Sequence, residues 1–277
     1  MAESLDFFKN QKTYTFLNPR MDLELQEKIL RATAAMGFTD HFWLASSGTE
    51  NFRADAVKMI ALSKQAFKAA AHSVCATQNI TAQDVYLNTL PYFHVSGLST
   101  LARAEVSGCK HISFEALNAE SIKWNPEYFT EKLQEHQVSV TSLVPTQIFD
   151  LVVARITAPE CLRFVYVGGG AVSPALQLKA ESLGWKLVHT YGMTETAAMI
   201  AYGASSSSYE LFPHIQDIRS TEQGQLEILS PALLTGYLFV SLHQERSEFR
   251  DPTKRMVLLW RSSSSSRENL RGYGARE

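Results

Sequence analysis

An aromatic ring, a glycine, a hydroxyl and a carboxylate fall within five residues of one another in the segment His189-Thr190-Tyr191-Gly192-Met193-Thr194-Glu195-Thr196. Tyr191 offers a face on which a base can stack. Gly192 lets the backbone approach a phosphate closely, because no Cβ stands in the way. Thr194 can hydrogen-bond a phosphate oxygen, and Glu195 can hold magnesium, a hard cation that takes oxygen ligands. The run before it, Trp185-Lys186-Leu187-Val188, is strand-like. A plainer alternative is a strand, a glycine turn and a helix start capped by Thr194.

Three further stretches could act with this one. Gly168-Gly169-Gly170-Ala171 has no side chain until Ala171, so its backbone could lie flat against a planar base. Without a ligand it would be a tight strand-to-helix turn. Leu90-Pro91-Tyr92-Phe93-His94-Val95-Ser96-Gly97 presents a histidine, which in isolation is more often a satisfied structural residue. Ala45-Ser46-Ser47-Gly48-Thr49-Glu50-Asn51-Phe52-Arg53 supplies hydroxyls and unhindered amides that can surround anionic oxygens. It also reads as a polar loop capping a helix. Glu50 would repel a triphosphate unless turned away or bridged by Mg²⁺. No GxxxxGK[ST] loop occurs, so this is not a Walker A site.

Changing apolar periods describe the elements that must position these residues. Leu23 to Met36 reads as an amphipathic helix ended by Gly37, and His41 to Ala45 as a strand. Val57 to Thr77 reads as one long helix, with Ile60, Phe67, Ala71 and Val74 on or near one face. Val85–Leu90, Lys110–Phe114, Val138–Val144 and Leu162–Val167 are strand-like. Helices are expected over Val95–Val106, Pro126–His136 and Thr146–Ile156, and from about Ser173, with Pro126 and Pro174 in first turns where proline needs no amide partner. Strand–helix alternation of this kind predicts an α/β architecture with a largely parallel sheet. In such sheets, ligands bind beyond the carboxyl ends of the strands, where both glycine-bearing turns fall.

Composition narrows the function classes. At 277 residues the chain can bury a large core as one big domain or two smaller ones. A net charge of −2 argues against a nucleic-acid surface, which needs clustered basic residues. No apolar run reaches membrane-spanning length, and residues 1–20 lack a signal-peptide core. Cys75, Cys109 and Cys161 are far apart without metal-ligand spacing, most simply reduced thiols in a cytoplasmic protein.

The order Tyr-Gly-Met-Thr-Glu-Thr closely resembles a core motif of the adenylate-forming superfamily of acyl-CoA synthetases, luciferases and peptide-synthetase adenylation domains. The glycine–alanine turn, the proline-aromatic-His segment, and Gly224-Gln225-Leu226-Glu227-Ile228 followed by Leu234-Thr235-Gly236-Tyr237 resemble other family segments in the expected order. This resemblance implies a large N-terminal domain of layered, mostly parallel sheets with flanking helices. It implies ATP-dependent activation of a carboxylic acid to an acyl-adenylate, then thioester formation with coenzyme A. ATP or AMP and Mg²⁺ would be bound here, and nucleic acid and membrane would not. Adenine would lie between Gly168, Gly169, Gly170, Ala171 and the Tyr191-Gly192-Met193-Thr194 segment. Ser46, Ser47, Gly48, Thr49 and Thr194 would hold phosphate oxygens, Glu195 the metal, and His94 the acyl and thiol channel.

The layout most resembles the small o-succinylbenzoate–CoA ligases of menaquinone biosynthesis, with Arg103, Lys110 and His111 as candidates for a second carboxylate. Family members carry a lysine at the end of the phosphate loop, for which Arg53 or Lys58 could substitute. They also carry a ribose-binding carboxylate and a small C-terminal domain with a catalytic lysine. Here no Asp follows Asp251 and no Lys follows Lys254, so the chain is expected to be a truncated large domain. Residues 1–204 would form the adenylate-binding core and 205–260 a β-rich end of the large domain. Residues 261–277 would form a disordered serine-rich tail; a second serine run, Ser205 to Ser208, is expected in a loop. A carrier-protein-dependent adenylation domain and a nucleotide-binding remnant without catalysis stay open, as does a homodimer.

Overall fold

The computed structural model describes residues 5–46, 56–117, 124–205, 207–221, 225–241, 247–251 and 256–258. Its strands are β1 (Tyr14–Phe16), β2 (His41–Ala45), β3 (Ala56–Ser63), β4 (Val85–Asn88), β5 (Lys110–Ser113), β6 (Val140–Leu143), β7 (Phe164–Val167), β8 (Leu187–Met193), β9 (Ala198–Ser205), β10 (Ser208–Leu211), β11 (Asp217–Ser220), β12 (Leu226–Leu229), β13 (Gly236–Ser241), β14 (Glu248–Arg250) and β15 (Met256–Leu258). The helices are α1 (Leu23–Ala35), α2 (Lys64–Gln78), α3 (Val95–Ser107), α4 (Phe114–Leu117), α5 (Pro126–Glu135), α6 (Pro145–Val153) and α7 (Pro174–Ser182).

A seven-stranded sheet runs β10-β9-β8-β7-β6-β4-β5, parallel from β8 to β5 and antiparallel at β9 and β10. A five-stranded sheet, β1-β2-β3-β13-β14, is antiparallel except where β1 meets β2. The small β11-β12-β15 sheet is antiparallel. The expected α/β fold is present, with its parallel pairing concentrated in the seven-stranded sheet. Strands β4, β6, β7 and β8 alternate with crossover helices, and parallel neighbours need such crossovers.

Helices α2 and α3 occupy the space between the two larger sheets. Phe42, Leu44, Ile60 and Leu62 of β2 and β3 meet Phe67, Ala70 and Ala71 of α2, Leu98 and Leu101 of α3, and Ile200 of β9 in one buried cluster. On the far side of the seven-stranded sheet, Phe129, Leu133, Ile148, Leu151 and Trp185 form a second core with α5, α6 and α7. The outer face of the five-stranded sheet buries Trp43, Met59, Leu238 and Val240 against Ile29 of α1.

The largest departure from sequence expectation is at 57–77, which divides into β3 and α2 rather than one helix. Met59, Ile60, Ala61 and Leu62 are all buried, because both faces of β3 are covered. A strand buried on both faces has no alternation, so periodicity cannot separate it from a buried helix. The break falls at Ser63, whose hydroxyl accepts a hydrogen bond from the Ala66 amide at 3.0 Å and caps α2. Other expected starts hold: Asn125 caps α5 before Pro126, and Ser173 caps α7 before Pro174.

Two smaller expectations change. Strand β8 continues through Tyr191 and Gly192 to Met193, and Thr194–Thr196 form a single 3-10 turn whose N-cap is Met193, not Thr194. In the second serine run, Ser205 ends β9 and Ser208 starts β10, and these strands pair as a hairpin. No helix among the described residues is long and apolar enough to cross a membrane. The serine-rich tail lies outside the described residues.

Candidate active site

The carboxyl ends of β4, β6, β7 and β8 share one edge of the seven-stranded sheet, where open α/β sheets hold ligands. Val167 pairs with His189, so the Gly168–Ala171 turn continues beside Thr190, Tyr191 and Gly192. A Cβ on Gly168 would lie 2.5 Å from Thr190 Oγ1, so a glycine lets the two strand ends close together. Gly169 has φ +77°, a conformation that favours glycine. Gly169, Gly170, Ala171 and Gly192 are exposed, leaving a strip of bare backbone along this edge. Tyr191 is half-buried, edge-on to Tyr209 at 6.4 Å, and burial pushes its phenol up to about 12. It is therefore a neutral ring at physiological pH.

A charged cluster lies beside this strip. Glu195 is buried, and Lys58 Nζ of β3 sits 3.1 Å from its Oε1. The Lys58 ammonium also lies 4.8 Å from the centre of the Tyr237 ring on β13. Burial, followed by the negative charge of Glu195, raises the pKa of the Tyr237 phenol. The Leu234 amide donates to the Glu195 backbone carbonyl at 2.9 Å. The cluster thus bridges the edge of one sheet to β3 and β13 of the other.

The other expected site residues divide. The Ser46 amide donates to the Lys58 carbonyl at 3.0 Å, and its buried hydroxyl has no hydrogen-bond partner among the described residues. Ser47, Gly48, Thr49, Glu50 and Arg53 lie outside the described residues. Thr194 and Met193 are half-buried at the end of β8, next to Glu195. His94 stands apart as the exposed N-cap of α3, its ring 4.6 Å from Phe93. Partial burial lowers its pKa.

Among the second-carboxylate candidates, Lys110 is exposed, whereas Arg103 and His111 are drawn inward together. Arg103 is buried and donates to Tyr86 Oη at 3.0 Å, with its guanidinium 5.3 Å from the centres of both the Tyr86 and Tyr166 rings. His111 shares a 2.8 Å hydrogen bond with Thr100. Burial, helped by the Arg103 charge, pushes His111 down to about 4.

The Glu195 carboxylate and the neighbouring Thr194 hydroxyl are oxygen donors that could hold magnesium. Among the described residues no group of three or more His, Cys, Asp or Glu could hold a metal. One protein carboxylate plus substrate phosphates is a common arrangement for Mg²⁺, so the residues fit that ion. Lys58 would then have to yield its place on Glu195.

Residues 57–237, more than half of the chain, match the family described as AMP-binding enzyme. The chain belongs to that family. The AMP-binding match opens one residue before Lys58 and closes on Tyr237, and it includes His94, Gly168–Ala171 and Tyr191–Thr196. A 2-succinylbenzoate–CoA ligase of Enterococcus faecalis is 29% identical over 188 residues, 61% of this chain and 37% of that protein. The o-succinylbenzoate coenzyme A synthetase of Bacillus subtilis in complex with AMP has a TM-score of 0.63 at 22% identity, covering 71% of this chain and 42% of that one. E. coli MenE with a bound analogue of OSB-AMS has a TM-score of 0.66 at 18% identity, covering 92% and 69%. At these identities the two structures show the shared fold. The chain spans about a third of the length of the curated relatives it matches.

In this AMP-binding chain, sequence reasoning missed the joining of Lys58, Glu195 and Tyr237. The available signal was a lone lysine inside the apolar run Val57-Lys58-Met59-Ile60. Read as a strand, that run places Lys58 opposite Phe239 and Ile60 opposite Tyr237. Lys58 and Tyr237 are then diagonal neighbours on one face, within reach of long side chains.

Proposed function

We infer that the chain is the adenylate-binding part of an acid–thiol ligase. In this reading a carboxylate oxygen attacks the α-phosphorus of ATP, pyrophosphate leaves, and an acyl-adenylate remains. The sulfur of coenzyme A then attacks the acyl carbon, and AMP leaves. The observation that carries the reading is the gathering of Tyr191, the bare Gly168–Ala171 backbone and the Lys58–Glu195 cluster at one sheet edge, all within the matched family segment.

Tyr191 and the glycine–alanine turn would hold adenine. Thr194, Ser46 and Lys58 would bind phosphate oxygens, together with Ser47, Gly48 and Thr49. Glu195 would hold Mg²⁺, which neutralises phosphate charge when bound. Such catalysis is mostly positioning and charge stabilisation. His94 would line the acyl–thiol channel. Three free thiols and the absence of a membrane-length helix among the described residues are compatible with a cytoplasmic enzyme using small-molecule substrates.

The relatives favour o-succinylbenzoate, a dicarboxylate, as the acyl substrate. Arg103 is the best placed cation for its second carboxylate. Its Nε is buried without a hydrogen-bond partner among the described residues. An unmade bond from a buried charged donor is costly, so a ligand acceptor there would be favoured.

The test is calorimetric titration of the chain with a stable o-succinylbenzoyl-adenylate mimic, with AMP and Mg-ATP alongside. Binding the mimic more tightly than AMP supports both the site and the acyl group. AMP binding alone keeps the nucleotide site and removes the dicarboxylate. No binding at all leaves a remnant that keeps only the fold.

A further inference from the structure

Arg103 is buried, and its hydrogen-bond partners among the described residues are all neutral. Its Nη2 donates to Tyr86 Oη at 3.0 Å, and Nη1 meets Met199 Sδ at 3.4 Å. Nε has no partner among those residues. Such contacts hold the cation in place without cancelling its charge. A buried charge left without a counter-ion is costly, so an entering anion is favoured there. Tyr86 is itself firmly held. It is buried in β4, between β5 and β6, and its hydroxyl hydrogen-bonds Ser142 Oγ of β6. Its ring stacks on His111 at 6.2 Å, and His111 is tied to Thr100, one turn before Arg103 on α3. Since Oη accepts from Arg103, the phenol's own proton is directed to Ser142.

We propose that Tyr86 is a positioning residue, whose hydroxyl aims the Arg103 guanidinium at a second carboxylate on the acyl group and whose neutrality keeps the cation's charge for that carboxylate. The inference rests on the dicarboxylate reading given above. Two chemical arguments support it. The guanidinium is planar and its donors form a rigid fork, so a bond at Nη2 also sets the direction of Nε. An acidic side chain in the place of Tyr86 would pair with Arg103 and remove the reason to prefer an anionic ligand. A phenol supplies the acceptor without the negative charge. The ring adds a second hold, since the guanidinium carbon lies 5.3 Å from its centre.

The test uses the full chain and calorimetry with three ligands: the o-succinylbenzoyl-adenylate mimic, the same mimic with its second carboxylate as a methyl ester, and AMP. The readout is the ratio of acid to ester affinity, and the unaltered chain should favour the acid. Tyr86→Phe keeps the ring beside Arg103 and His111 and removes the hydroxyl. It should lower the ratio by roughly tenfold, the order of one hydrogen bond to a charged group, with ester and AMP affinity within about twofold of the parent. Ser142→Ala leaves every printed contact of Arg103 in place and loosens only the phenol. It should lower the ratio about threefold, and it carries the test if Tyr86→Phe does not fold. In Arg103→Met the preference should vanish, and adding Tyr86→Phe should change nothing further, because paired residues are non-additive. An unchanged ratio in Tyr86→Phe or Ser142→Ala overturns the inference, as does an equal loss across acid, ester and AMP, which marks a structural role. A further loss of acid affinity in the double variant overturns it too, by showing that Tyr86 acts elsewhere. An unaltered chain that binds AMP without preferring the acid overturns the dicarboxylate reading and the inference with it, whereas one that binds none of the three overturns the nucleotide reading as well.

Discussion

Acidification from pH 7 to pH 4 should remove about 6 kcal/mol of stability, through two histidines buried in the neutral state. His214 is buried with its ring stacked on Phe212 at 6.1 Å, and burial pushes it down to about 4 against a raising contribution from the Met199 backbone. His111, hydrogen-bonded to Thr100, is also pushed down to about 4 from the ordinary value of 6.5. The unfolded chain takes up these protons near pH 6.5, while the folded chain resists them until about pH 4. Stability is therefore full above about pH 6.5 and falls as the pH drops, by up to about 1.4 kcal/mol per pH unit for each histidine. Integrated to pH 4, each contributes about 3 kcal/mol, a large share of the roughly 5–15 kcal/mol typical of a folded protein.

Urea unfolding followed by circular dichroism at intervals from pH 7 to 4.5 measures this slope. His214→Phe keeps the aromatic contact, and His111→Gln keeps a hydrogen-bond partner for Thr100. Each should flatten the slope by about one proton, and the double variant by about two. His94 and His189 are shifted in the same direction, so a shallower dependence should persist in the double variant. A double variant whose slope equals that of the parent would refute the reasoning, because the proton uptake would then arise elsewhere.

Three other outcomes are expected. Tyr191→Ala should weaken AMP binding by about 1–3 kcal/mol, the usual worth of a base–aromatic stack, and calorimetry showing unchanged affinity would count against adenine at this ring. Gly192→Ala should abolish folding or cost more than about 4 kcal/mol, since its Cβ would lie 1.6 Å from the Ala198 carbonyl oxygen; a thermal melt near that of the parent would contradict the bulged pairing of β8 with β9. Lys58→Met should destabilise by about 1–3 kcal/mol because the Glu195 charge is left buried, and Glu195→Gln in the same chain should restore most of it; additive losses in a double-mutant cycle would mean the pair is not coupled.

Local signals were strong wherever a single residue does a local job. Pro126 and Pro174 in first turns, Ser173 at the start of α7 and Gly37 past the end of α1 each bias the few torsions beside them. The α/β class followed from strand–helix alternation, and Tyr-Gly-Met-Thr-Glu-Thr pointed to the family because its chemistry is packed into consecutive residues. Tertiary packing decided the rest. Residues 57–63 became a strand because β2 and β13 flank them and buried sheet faces cover both sides, which no window of seven residues can reveal. Lys58, Glu195 and Tyr237 are separated by 137 and 42 positions, so only the pairing of β3 with β13 and the docking of the 234–237 turn could bring them together. From sequence, Arg103 is only one of three candidates for a second carboxylate. Two aromatic faces and the Tyr86 hydroxyl, supplied by distant strands, made it a buried one. Short-range order is written in neighbouring residues, whereas a site assembled from several strands exists only once the long-range contacts have overcome the entropy of closing the loops between them.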